Sequence, residues 1–151
     1  RIQSLAQQQS QDCGPGIIRV YIMTSIHTHN ETVEFFKEHL NFGLNSTQVK
    51  FFQQGTIPCF TENGEIIMET RSKVILRKTL SAIDQFLPQI AASPDGNGGI
   101  YSALKESGSL AEMENQGIAC VDCFSVDNLL AKAADPLFLG HCWESKALCG
   151  K

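Results

Sequence analysis

Three observations predict an α/β domain built on a mainly parallel sheet. The runs IIRVYIMTS (17–25) and IACVDCFSV (118–126) are apolar almost throughout and rich in β-branched or aromatic residues. Strands buried on both faces read this way, and parallel sheets bury both faces. A shorter run, VKFFQQ (49–54), adds a third strand, and helical patterns fall between the strands, as crossover connections require. The expectation is therefore one sheet holding 17–25, 49–54 and 118–126.

Each element has its own local signal. Residues 1–16 read as the end of a helix followed by a loose polar link ending in CGPG. After the first strand, Thr28 and Glu31 have capping-box spacing, and Val33, Phe36 and Leu40 repeat at helical intervals. In IPCFTENGEIIMET, Asn63-Gly64 predicts a two-residue hairpin turn. Leu80, Ile83 and Leu87 fit one helical face, which Pro88 keeps short. YSALKES makes a short helix, Ser109 and Glu112 open the next by capping-box spacing, and Gly117 closes it. Asp135-Pro136 caps and begins a last helix, PLFLGHCWES.

Composition narrows the function classes. With 151 residues, 42% hydrophobic and 19% charged, the chain has the size and balance of one globular domain. Its net charge of −4 argues against a general nucleic-acid surface. No apolar run approaches a membrane span, and RIQSLAQQQSQD does not resemble a signal peptide. The chain opens at Arg1 without Met and stops at LCGK, so a fragment of a longer protein is expected. Six cysteines include Cys120 and Cys123 as CxxC, but on a strand residues three apart face opposite ways and share no metal easily. His141, Cys142 and Cys149 fit no zinc spacing, so reduced cysteines acting mostly as small apolar fillers in a cytosolic protein are the expectation.

Ligands of parallel sheets collect at the carboxyl ends of the strands. That places Met23-Thr24-Ser25, Gln53-Gln54 and Asp127-Asn128 near one another, with His27 and His29 beside the first strand's end. Asp127 ends a hydrophobic strand, where a lone carboxylate is costly unless exposed, paired or metal-bound. It suits either a helix N-cap for LLAKAA or a divalent-metal ligand. The amide of Gln54 suits a loop backbone or a nucleobase edge. Asp122 suits a polar layer or a downstream loop, and Asp95 a turn. The stretch SPDGNGG (93–99) is either a strand-to-helix corner or a loop that lets a ligand approach the backbone at Gly96, Gly98 and Gly99. It matches no standard phosphate-loop pattern. The residues alone point weakly to nucleotide or sugar-phosphate chemistry.

The motifs YIMTS, FGLNSTQVKFFQQGTIPC, GEIIMET, SPDGNGGIYSALKESG and VDCFSVDNLLAKAADPLFLG, in this order, resemble the eukaryotic UDP-N-acetylhexosamine pyrophosphorylases, especially plant-like forms. The resemblance spans nearly the whole chain. It implies a Rossmann-like, mainly parallel sheet of the nucleotidyltransferase (GT-A-like) type, here incomplete. It also implies a uridylyltransferase that joins UTP to N-acetylglucosamine 1-phosphate with Mg²⁺ in the cytoplasm and releases pyrophosphate. On that resemblance Gln54 contacts uracil, the Gly96 backbone meets the base, Pro94 shapes that wall, and Asn97 lies near the sugar. Asp127 would be the catalytic residue, helping to hold Mg²⁺ and the phosphates. N-acetylgalactosamine 1-phosphate is an alternative sugar substrate, with glucose 1-phosphate, in a UDP-glucose-forming relative, behind it. The family's LxGGxGTRLG signature is absent from the 151 residues. A partial nucleotidyltransferase domain over 1–151, inactive when isolated, is thus expected, the competing reading being a non-catalytic nucleotide-binding or scaffold module. ILRKTLSAIDQFLPQI (75–90) has no family counterpart and reads as an insertion or a gene-model artefact.

Overall fold

The computed structural model describes residues 2–7, 17–69 and 90–150. Helix α1 is Ile2–Gln7. Strands β1 (Val20–Thr24) and β2 (Val49–Gln53) form a two-stranded parallel sheet, with Val20 opposite Val49 and Thr24 opposite Gln53. Helix α2 (His29–Glu38) makes the crossover between them. This is the β–α–β unit that the apolar runs predict.

Alternation along the two strands sorts their side chains onto two covered faces. Phe51 points toward α2, where Phe36 meets it edge-on at 5.2 Å. Phe52 points the other way and is buried, at 4% exposure, together with Ala103 and Met113. Those two belong to α3 (Ile100–Glu106) and α4 (Ser109–Asn115), and α3 packs on β2. Helices on both faces of a parallel sheet define an α/β fold.

The register is tied down before the strands begin. Asn45 and Gln48 form a reciprocal capping box around the turn Ser46–Gln48, which feeds β2. From that turn, the Gln48 amide donates to the Ile18 carbonyl at 3.0 Å, and Arg19 donates to the Thr47 carbonyl at 2.8 Å. Both bonds join the approach to β1 with the approach to β2. The crossover itself returns through Leu40, Asn41 and Phe42, all with left-handed φ near 50°. Such residues are costly in this region. Phe42 meets Phe35 at 5.8 Å and Phe36 at 5.1 Å, and it stacks on His39 at 5.3 Å. That ring packing offsets the backbone cost.

An antiparallel pair follows: β3 (Thr56–Pro58) against β4 (Ala92–Pro94). The predicted hairpin forms between Phe60 and Ile66, but its loop has three residues, closed by Gly64 at φ 82°. Gly64 donates to the Thr61 carbonyl and Thr61 to the Glu65 carbonyl. A left-handed glycine at the third loop position is a common hairpin solution. The last helix, α5 (Pro136–Glu144), starts as expected, with the Asp135 side chain accepting from the Leu137 N–H and Pro136 in its first turn. Gly117, at φ 67°, closes α4 as expected: Ile118 N–H reaches the Met113 carbonyl and Gly117 N–H the Glu114 carbonyl, a Schellman arrangement.

Several expectations fail. Residues 118–126 are not a strand and share no sheet with β1; they run irregular and mostly exposed, with Val126 at 97%. A strand needs a partner, and no described residue offers its backbone to this run. LLAKAA does not form the helix that Asp127 could cap; the chain turns there, with Asn128 accepting from the Leu130 N–H. Neither capping box closes. The Thr28 hydroxyl accepts from the Ser25 N–H, and Ser109 is fully buried with its hydroxyl on Ser107. Local bonds of this kind compete with caps. Cys120, Cys123 and Cys149 are exposed, so they fill no core. The helical face of Leu80, Ile83 and Leu87, and most of the segment 75–90, lie outside the described residues.

Candidate nucleotide site

The carboxyl ends of β1 and β2 open into a cleft of about 480 Å³. Thr24 and Ser25 contribute from the end of β1, Thr28 and Thr32 from the start of α2, and Gln54 from just past β2. Pro94, ending β4, and Val126 complete the rim. The position is the one that parallel-sheet topology favours.

Two of the expected site residues, Gln54 and Pro94, both line this cleft. Asp127 follows directly on Val126; it is exposed and does not itself line the cleft. Gly96 and Asn97 lie just beyond Pro94 and are likewise exposed outside the lining. Gly96 does adopt a left-handed φ of 86°, and Gly99 N–H closes the turn onto its carbonyl at 3.1 Å. The glycine stretch is thus a strand-to-helix corner between β4 and α3, set on the edge of the cleft.

Asp95 braces that corner from beneath. Its N–H donates to the Gly55 carbonyl at 3.1 Å, and its carboxylate lies against Gly55 and Gly99. A Cβ on Gly99 would collide with both carboxylate oxygens. Oδ1 of Asp95 and Oε1 of Gln54 are buried and find no donor among the described residues. Buried acceptors are nearly always paired, which singles out these two oxygens as candidate ligand contacts.

The cleft lining is mostly apolar, through Ile22, Met23, Pro94 and Val126; hydroxyls and the Gln54 amide supply its polar groups, and it carries no charged side chain among the described residues. Ser25 and Thr28 hydroxyls bond each other at 3.0 Å, and the Thr32 hydroxyl donates to the Thr28 carbonyl at 2.7 Å. The strand-end rule singles out Thr24 and Ser25. Thr28 and Thr32 escape it because their spacing reads as helix start and helix body. Asp122 turns to a downstream loop, accepting from the Ala134 N–H at 2.7 Å. His29 bonds Thr24 at 2.8 Å, whereas His39 bonds its own helix at the Phe35 carbonyl. No group of three His, Cys, Asp or Glu among the described residues could hold a metal. No described helix is long and apolar enough to cross a membrane.

An α/β unit with its cleft at the strand ends is the class that the fold and site define. The family model described as UTP–glucose-1-phosphate uridylyltransferase matches residues 3–150. UDP-N-acetylglucosamine diphosphorylase 2 of Arabidopsis thaliana is 45% identical over 141 residues, covering 93% of this chain and 25% of the relative. The UDP-N-acetylglucosamine pyrophosphorylase of Saccharomyces cerevisiae is 42% identical over 120 residues, covering 80% and 22%. Among solved structures, the uridine diphosphate N-acetylglucosamine pyrophosphorylase of Trypanosoma brucei superposes with a TM-score of 0.71 at 35% identity, over 91% of this chain and 26% of that one. The chain belongs to the eukaryotic UDP-N-acetylhexosamine pyrophosphorylase family. It spans about a quarter of the length of the curated relatives it matches.

Proposed function

We propose that the intact protein is a cytoplasmic uridylyltransferase that forms UDP-N-acetylglucosamine and pyrophosphate from UTP and N-acetylglucosamine 1-phosphate. The observation that carries this reading is the meeting of Gln54 and Pro94 at one strand-end cleft in a chain of this family. A phosphate oxygen of the sugar phosphate attacks the α-phosphorus of UTP, the bond to the β-phosphate oxygen breaks, and pyrophosphate leaves. No covalent protein intermediate is needed, so the protein's work is positioning and charge stabilisation.

Gln54 would pair with the uracil edge, Pro94 would wall the base, the Gly96 backbone would approach it, and Asn97 would stand toward the sugar. Asp127, exposed next to Val126 of the rim and with no side-chain bond among the described residues, fits as one ligand of a Mg²⁺ whose other ligands are phosphates and water. Mg²⁺ there would neutralise charge on the phosphates.

The test is turnover by the intact protein with UTP and N-acetylglucosamine, N-acetylgalactosamine or glucose 1-phosphate. Pyrophosphate release fastest with the first supports the reading. Release only with glucose 1-phosphate would move the protein to the UDP-glucose-forming branch, and no release with any would leave a nucleotide-binding module. The uncharged cleft lining favours that last reading for the 151 residues taken by themselves.

A further inference from the structure

On the reading of Gln54 as the base-recognising side chain, we infer that His29 is its positioning residue, acting through Thr24. Thr24 is 95% buried at the end of β1 and joins three elements. Its carbonyl accepts the Gln54 N–H at 2.9 Å. Its hydroxyl lies 3.2 Å from the Phe52 carbonyl of β2 and 2.8 Å from Nδ1 of His29.

A carbonyl only accepts, so the single hydroxyl proton of Thr24 goes to Phe52 when both bonds are made. Nδ1 of His29 must then carry a proton and donate it to Thr24. The imidazole is fixed from two further sides. Its backbone N–H donates to the Ser25 carbonyl at 3.0 Å, and its ring stands edge-on to Phe51 at 6.5 Å. Helix α2 thereby holds the hydroxyl that holds the end of β2.

Gln54 depends on this anchor. Its Oε1 is buried without a donor among the described residues, so none of them aims the amide through that oxygen. The backbone tie to Thr24 sets where the side chain starts and which way it leaves the sheet. His29 itself does not line the cleft, which separates positioning from contact.

The experiment compares equilibrium binding of UTP and CTP to the intact protein and to three variants. His29→Phe keeps a ring against Phe51 but has no donor; it should lower the UTP-over-CTP preference about tenfold. His29→Asn, whose amide nitrogen can occupy the Nδ1 position, should stay within about threefold of the parent. Gln54→Ala should abolish the preference. Full preference in His29→Phe, with loss in Gln54→Ala, overturns the role of His29 and leaves the reading of Gln54 standing. Unchanged preference in Gln54→Ala overturns both. Nitrogen-15 NMR of the imidazole supplies a separate check if His29→Phe does not fold: a neutral ring protonated on Nε2 and bare at Nδ1 overturns the inference alone.

Discussion

Lys50 of β2 and Glu112 of α4 form an ion pair on the face of the sheet opposite α2, each side chain about one-third exposed. Gln116 donates to the other oxygen of Glu112 at 3.0 Å, and Tyr21, the register partner of Lys50, lies beside the pair. The pair joins the sheet to the helix that supplies the buried Met113.

Hydrogen bonding from Lys50 holds the Glu112 carboxyl below its ordinary value of 4.5. A depressed acid stabilises the fold above its unfolded pKa, and the contribution disappears as pH falls through the folded one. Glu112→Gln should therefore lower the melting temperature slightly at pH 7 and make no difference in strong acid. The difference should shrink in high salt, as a partly exposed pair is screened. Burial, and then the Glu112 charge, raise Tyr21 above 10.0. Its contribution should accordingly be lost as pH rises through that higher value. A Glu112→Gln deficit that persists in strong acid would sink the ion-pair account.

The glycines of the corner should fail for different reasons. Gly99→Ala drives a methyl group into the Asp95 carboxylate and should cost about 1–3 kcal/mol, recovered in part in the Gly99→Ala, Asp95→Ala double variant. Gly96→Ala meets no atom within 4 Å; it should cost about 1–3 kcal/mol from its backbone alone, φ 86° with ψ −174° being a region all but confined to glycine, with no rescue by Asp95→Ala. Chemical denaturation of these variants and of Asp95→Ala alone, five in all, measures the coupling directly. Equal coupling of Asp95 to both glycines would contradict the steric account.

Asp127→Asn keeps the size of the side chain and removes its charge. On the proposed function, the intact protein with this change should need about tenfold more Mg²⁺ for half-maximal turnover, while UTP remains preferred over CTP. A titration with the parent's Mg²⁺ dependence would remove Asp127 from the metal site.

The 151 residues expressed alone should distinguish poorly between uridine and UTP. No cation lines the cleft among the described residues, so the triphosphate has little to add. Calorimetry should give affinities within about threefold of each other, and turnover should be undetectable. UTP binding a hundredfold tighter than uridine would show that phosphate recognition lies within these residues.

The sequence discloses what is encoded within one element and hides what two elements decide together. The β1–α2–β2 unit is legible because Val20–Thr24 and Val49–Gln53 carry their burial in their own side chains. Asp135 and Gly117 are legible because a cap is a local bond. Residues 118–126 mislead for the opposite reason: their apolar character is real, but pairing depends on a neighbour no pattern within the run reveals. The boxes at Thr28 and Ser109 mislead because Ser25 and Ser107 take those hydroxyls first. At the site, strand-end logic reaches Gln54 and Thr24, and the family resemblance adds Pro94. The link from His29 to Gln54 stays hidden, since it passes through a hydroxyl and a main-chain bond between strands.

Met68 pairs with Ile90, and Ala91 N–H reaches the Ile67 carbonyl at 2.8 Å. Departure and return of residues 70–89 are therefore stitched side by side, whatever lies between. A doubling of that length costs only about 0.6 kcal/mol in closure entropy. A change of length between Met68 and Ile90 should therefore leave the glycine corner downstream beginning from the same paired strand.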